Sequence, residues 1–411
     1  MGDIAHAYHA MLRRTNRLGS PPHSSGRGMK NNDRYWDCLD QAMEASHGGR
    51  TDEALAWLDE ALRAHPDGAE AHNGRGEILW DDGRVEEALY EFETSLKADP
   101  KFITAHLNRA ELLVEDMGEY EQAVALCDEL LAGHTELPRL DRGSEGEVYY
   151  LKAKAVFYLD DLEGALFLTR RAMKTAGEVP VYRAFDGQIL FELGRFDEAR
   201  RSLETATALD PESGHALYHL ALVLERLGDP ENSERAFQAA NALDSSQYPL
   251  PVTVDLEFFR GAVADSIDNL PRSIREYVED VPVLVEDYPS DDLMEDESVS
   301  PQILGIYIGT PRTEAGPTHQ PTDVTRVILF KKNLEKICRD RDELIDQIQI
   351  TLRHEIGHHL GLSEEDMERL GLALAAQGGR RSRPTRSEPK AAKAGPCTNW
   401  RDPPSAPPAL H

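Results

Sequence analysis

The feature that most constrains this chain is a 34-residue period between residues 35 and 245. The segment TDEALAWLDEALRAHP ends at Pro66, and VEEALYEFETSLKADP ends 34 residues later at Pro100. FDEARRSLETATALDP ends at Pro211, and PENSERAFQAANALDS ends 34 residues later at Ser245. Each follows a helix-compatible segment with a small residue near its middle: Ala42, Gly76, Gly187 and Ala221. Each also carries two small residues of its own: Ala54 and Ala61, Ala88 and Ser95, Ala199 and Ala206, Ser233 and Ala240. Two helices that approach closely need such residues where they cross, because a large side chain would hold the axes apart. The prolines end a second helix and open the next unit. Two looser units fill the middle, one over 103–138 with an extra residue near Gly118, the other over 146–179 with Ala153, Ala165 and Ala172 in the small positions. The total is six. One helical hairpin cannot bury its own apolar face, so such units must stack.

Phase, small residues and prolines together resemble tetratricopeptide repeats, over about half of the 411 residues. The resemblance implies a right-handed superhelix whose first helices form a concave face for a peptide or protein partner. Asn73, Glu77, Leu107, Glu111, Tyr150, Lys154, Gln188, Tyr218 and Leu222 are expected to line it. A basic clamp for acidic tails is not expected, since Asn73 and Asn108 alone do not make one.

Charge narrows the partners. Lys plus Arg number 45 and Asp plus Glu 74, a net charge of −29. Residues 1–31 carry +4 and residues 373–411 carry +5, so the body between them carries −38. A body this acidic repels phosphate backbones, which disfavours nucleic acid as a partner. The basic tail is expected to solubilise rather than to bind. No apolar run approaches the roughly 18 residues of a membrane helix. Residues 1–20 lack the apolar stretch of a secretory signal. Cys38, Cys127, Cys338 and Cys397 form no CxxC pair, so no disulfide framework is expected and a reducing, cytoplasmic location is. Residues 1–32, rich in Gly, Ser, Pro and Asn toward their end, and residues 373–411, with seven prolines, are expected to be disordered.

The periodicity stops after 245, at QYPLPV. Residues 256–268 and 272–280 predict short helices, and VPVLVED (281–287), ILGIYIG (303–309) and VTRVILF (324–330) predict strands. The acidic stretch SDDLMEDES is expected to be a solvated loop, its spacing unlike that of an EF-hand. A long helix follows over about 342–360, on which Ile345, Ile348, Leu352, Ile356 and Leu360 make a core-facing stripe.

That helix ends in RHEIGHHLGLSEEDM, and His354, Glu355 and His358 make the pattern HExxH. Residues i and i+4 share one helical face, so two imidazoles there can hold one Zn²⁺. Glu355 beside the first histidine is placed to act as general base on a water. His354 and His358 lie about 200° round the helix from Leu352 and Ile356, off the packed stripe and toward a cleft. His359 points elsewhere and is expected to be supporting or structural. Gly361 suits a left-handed helix end that turns the chain back.

VPVLVEDYPS, GIYIGTPR, TRVILFKKNLEK and LRHEIGHHLGLSEEDM, in this order, are similar to the minimal zincin-like metallopeptidases of bacteria. The similarity covers about 275–370 and implies a zinc-binding fold with peptidase activity. HExxHxxGxx puts Glu364 where metzincin-type sites carry a third ligand, usually His and sometimes Asp; Asp366 and Glu368 are the alternatives. Ser363 also suits an N-cap for a helix over 364–371, in which the following acids would serve its N-terminus. No methionine turn follows. The expected fold is therefore mainly α: six repeats in a solenoid over 33–245, then a small α+β zincin-like domain over 246–372, between disordered termini. The expected activity is zinc-dependent hydrolysis of peptide bonds, with the repeats recruiting substrate or partner. The substrate would add as a strand along ILGIYIG, where Tyr307 offers a hydroxyl to the oxyanion. Two alternatives are a repeat scaffold whose zincin-like domain is an inactive or regulatory zinc module, and a zinc hydrolase acting on other bonds.

Overall fold

The structure, a computed structural model, describes residues 27–133, 137–270, 272, 274–275, 281–297, 299–309 and 325–362. Helices pair along the first 243 residues: α1 (Arg27–His47) with α2 (Thr51–Ala64), α3 (Ala69–Asp81) with α4 (Val85–Ala98), and α5 (Ile103–Glu115) with α6 (Tyr120–Ala132). Then come α7 (Arg142–Tyr158) with α8 (Leu162–Ala176), α9 (Pro180–Glu192) with α10 (Phe196–Leu209), and α11 (Gly214–Arg226) with α12 (Pro230–Leu243). The first helix starts at Arg27, inside the segment expected to be disordered; the remainder of that segment, residues 1–26, lies outside the described residues, as does the tail 373–411.

The small residues sit where helices touch. A Cβ on Gly76 would lie 2.5 Å from the Phe92 ring, and one on Gly187 would lie 2.4 Å from Leu203 Cγ. The Ser95 and Ser233 hydroxyls donate to the carbonyls of Ala69 and Ala221, at 2.7 and 2.8 Å. These serines thus satisfy themselves on the backbone of the opposing helix while staying small. Each hairpin turns through a residue in left-handed conformation: Gly49, Gly83, Gly118, Gly194 and Gly228 at φ 65–75°, and Asp160 at φ 70° in the fourth.

The chain divides into two compact units, Met1–Ile189 with Arg201–Pro211, and Leu190–Arg200 with Glu212–His411. In the first unit Tyr35, Cys38, Leu58 and Ile78 centre one apolar cluster. Leu79, Phe92 and Leu112 centre a second, and Leu113, Leu126, Leu130 and Leu151 a third.

In the second unit, α11 and α12 are followed by α13 (Leu256–Asp268), β1 (Val283–Glu286), α14 (Asp291–Glu297), β2 (Gly305–Ile308) and β3 (Arg326–Phe330). The helices α15 (Lys331–Ile337) and α16 (Arg341–His359) follow. The strands form one sheet in the order β1-β3-β2, with β1 parallel and β2 antiparallel to β3. Alternation sorts its two faces. Tyr307, Val327 and Leu329 face a core built with Phe259 of α13, Leu334 of α15, and Leu344, Ile348, Leu352 and Ile356 of α16. Ile306, Ile328 and Phe330 face Val299, Ile303, Leu293 and Met294.

That second face corrects the sequence expectation for SDDLMEDES. The stretch is helix over Asp291–Glu297, because Leu293 and Met294 within it cover the sheet. The expected helix over 272–280 falls mostly outside the described residues. Helix α15 starts directly at the end of β3 and was not foreseen.

Candidate metal centre

Helix α16 is fixed at both ends. Asp340 caps it, accepting from the backbone N–H groups of Asp342 and Glu343 at 2.9 Å, while the Glu343 carboxylate accepts from the Arg339 N–H at 2.7 Å. Asp342 and Glu343 lie in the first turn, where their carboxylates are favourable in the helix field. At the far end Gly361 has φ 73°. Its N–H donates to the His358 carbonyl at 3.0 Å and the Leu362 N–H to the Gly357 carbonyl at 3.1 Å. These two bonds are those of a Schellman ending, which closes the helix immediately beyond the histidines.

On this helix His354 Nε2 and His358 Nε2 approach to 3.1 Å, with ring planes at 88°. Two N–H groups cannot face each other at that distance, so at least one nitrogen presents its lone pair. A tetrahedral zinc bound to both would hold the nitrogens roughly 3.3 Å apart, given Zn–N distances of about 2.0–2.1 Å. The separation of the two nitrogens is thus close to that of two ligands on one zinc. His354 is buried at 3% exposure, and Glu355 at 1%. Burial, reinforced by His358, lowers the His354 imidazole to about 4, so it is neutral at neutral pH, the form that ligates metal. Among the described residues no three His, Cys, Asp or Glu side chains converge on one point. Glu364, Asp366 and Glu368, the residues expected to supply a third ligand, lie outside the described residues.

Tyr307 on β2 is buried, and its hydroxyl lies 3.2 Å from His359 Nδ1. Burial raises its phenol above the ordinary range, against a hydrogen bond with Thr325. Strand β2 lies at one side of β3, as an edge among the described strands. The pairing of Tyr307 with His359 was not foreseen; an i+5 residue gives no periodic signal, and the partner comes from a different element.

The expected partner-binding residues differ from expectation. Asn73, Leu107, Glu111, Tyr150, Lys154, Gln188, Tyr218 and Leu222 are all buried. Several join neighbouring units instead. Asn108 Nδ2 donates to Asn73 Oδ1 at 2.9 Å and to Glu77 Oε1 at 2.8 Å. Lys154 pairs with Glu115, and Tyr150 packs on Tyr182 and Phe185. A polar residue on a first helix can serve the seam between repeats as readily as a ligand, and the sequence does not separate the two.

Residues 278–373 match the family model of the zincin-like metallopeptidases. Tetratricopeptide repeat models match 39–103, 79–155 and 187–248. The chain thus combines tetratricopeptide repeats with a zincin-like metallopeptidase domain. Comparison with curated proteins finds no match. Among solved structures, PilF of Pseudomonas aeruginosa is 14% identical with a TM-score of 0.45, covering 52% of this chain and 94% of that one. PilW, a type IV pilus biogenesis factor, is 16% identical with a TM-score of 0.45, covering 51% and 92%. YrrB, a tetratricopeptide repeat protein with an unusual peptide-binding site, is 20% identical with a TM-score of 0.33, covering 46% and 92%. No helix among the described residues is long and apolar enough to cross a membrane.

Proposed function

We propose that the protein is a zinc-dependent metallopeptidase in which the repeat array recruits a substrate or partner protein. The observation that carries the proposal is the convergence of His354 and His358 beside the buried Glu355, inside the segment that matches zincin-like metallopeptidases. In this reading His354 and His358 hold zinc, with Glu364 as third ligand, or Asp366 or Glu368 in its place. Bound there, zinc supplies Lewis acidity that polarises a carbonyl and makes water acidic near neutral pH. Glu355 accepts the proton and returns it to the departing amine. Its burial keeps bulk water from competing for that proton. Tyr307 braces His359, and reaching a substrate oxygen requires its hydroxyl to leave that partner.

Two variants test this. Wild type is expected to hold about one zinc per chain by mass spectrometry, and His358→Ala almost none. Glu355→Gln is expected to retain zinc and lose peptide hydrolysis. Wild-type protein without zinc refutes the metal site. Equal cleavage by Glu355→Gln refutes the role of the base. Zinc retained with no cleavage of any partner captured by the repeats makes the domain a zinc module rather than an enzyme.

A further inference from the structure

Within the second unit, the ends of two repeat helices are engaged by the metallopeptidase fold through two polar clusters. In one, the buried Glu192 at the end of α9 accepts from Ser300 Oγ and from Gln302 Nε2, both at 2.6 Å. Those two residues lie in the run that leads into β2, and Asn333 of α15 holds the same run by donating to the carbonyls of Pro301 and Ile303 at 2.9 and 2.8 Å. In the other, Lys336 Nζ of α15 lies 2.8 Å from Glu225 Oε2 of α11, with the Tyr288 ring under the ammonium at 4.8 Å. Arg226 of α11 covers the same ring at 5.1 Å and donates to the Pro289 carbonyl at 2.9 Å. Its side chain is 7% exposed.

These contacts reach the two elements that frame the histidines. Ser300 and Gln302 precede β2, whose Tyr307 meets His359. Lys336 closes α15, and Asp340 four residues on caps α16. An ion pair as sheltered as Glu225 with Lys336 adds little net stability but fixes geometry, and breaking it is costly.

We propose that the end of α9 and the end of α11 act as a clasp on the metallopeptidase fold, with Glu192, Glu225 and Arg226 as positioning residues that hold β2 and α16 in the register the histidine site requires. The proposal rests on zinc binding at His354 and His358. It makes the end of the array a working part of the centre rather than a detachable adaptor. Neither Glu192 nor Glu225 touches the metal or the substrate; each acts through the chain segment it holds.

The test uses the full chain as wild type, Glu225→Lys, Lys336→Glu and the exchanged pair E225K/K336E. Zinc affinity is measured by competition with a chromophoric chelator, and amide exchange is followed at 305–308, at 351–359 and, as a reference, at 69–81. Each single variant is expected to weaken zinc binding about tenfold or more, the range for residues that orient metal ligands. Exchange should quicken at 305–308 and 351–359 and stay unchanged at 69–81. The exchanged pair should recover zinc affinity to within about threefold. Single variants within twofold of wild type overturn the clasp, and so does an exchanged pair no better than its parents. If the single variants do not fold, Ser300→Ala with Gln302→Ala, which removes two donors and no charge, is judged by the same limits. A wild-type chain that binds no zinc overturns the proposed function instead, and the exchange measurements alone then decide the clasp.

Discussion

Glu335 gives the sharpest test of how the metallopeptidase fold is held together. Its carboxylate is 1% exposed and takes three partners. Lys331 Nζ donates to Oε1 at 2.6 Å, the Val254 N–H donates to the same oxygen at 2.9 Å, and Lys332 Nζ lies 3.4 Å from Oε2. Its backbone carbonyl accepts from the Val252 N–H at 3.0 Å. One residue of α15 therefore ties the segment entering α13 to the end of the sheet. Glu335→Gln keeps an acceptor for Val254 but leaves the sheltered Lys331 ammonium without its counter-charge. Breaking a buried pair in this way costs about 3–5 kcal/mol. Replacing both partners, as Lys331→Met with Glu335→Leu, removes both charges together. It leaves one buried N–H without an acceptor, at about 1–3 kcal/mol, against a gain of similar size from the removed charges. The double variant should thus lie near wild type. The assay is native-state hydrogen exchange at the core amides of α16, residues 344–356. At 1.36 kcal/mol per factor of ten, Glu335→Gln should lower protection by roughly two to three and a half orders of magnitude. A loss below tenfold refutes the argument. A double variant as weak as the single one refutes it equally, since the charge would then not be the cause.

Two further outcomes follow from the repeats. Burial lowers His219 of α11 to about 4, against a hydrogen bond to the His215 carbonyl, so between pH 6.5 and 4 the unfolded chain binds the proton that the folded chain refuses. Stability should be complete above pH 6.5 and fall by about 3 kcal/mol as pH drops toward 4; urea unfolding at several pH values should show a shallower fall for His219→Phe. Gly83 turns at φ 75° with no atom within 4 Å of a would-be Cβ, so Gly83→Ala meets backbone strain alone. A loss of about 1 kcal/mol is expected in the thermal unfolding of the repeats, and no loss would remove the conformational explanation.

Much of the fold was legible because the repeats impose one steric demand over and over. Gly76 and Gly187 must be small to admit Phe92 and Leu203, so their spacing exposes the helix pairing. The three strands were legible from short apolar runs, and Gly361 and the histidines from their place on one helix. Other features left no such mark. SDDLMEDES is dominated by charge, and only the two apolar residues that cover Ile306 and Phe330 make it a helix. KKNLEK is mostly charged and suggests no element by itself; Glu335 within it meets Val252 and Val254 from far along the chain. The left-handed glycines at 49, 83, 118, 194 and 228 do recur with the period and were available to a closer look at the turns.

The sheet has a consequence for the order in which the chain folds. Val283 pairs with Val327, and α14 and β2 lie between them in the sequence. Hairpins of the repeats join neighbours a few turns apart and close within local loops. The parallel β1–β3 ladder must wait for a far longer loop, whose entropy is lost before any strand contact compensates it. The array emerges first during synthesis and can fold as it appears. Glu192, Glu225 and Arg226 are then already in place on the ends of α9 and α11 when the slow sheet begins to assemble, and offer it fixed partners on which to find its register.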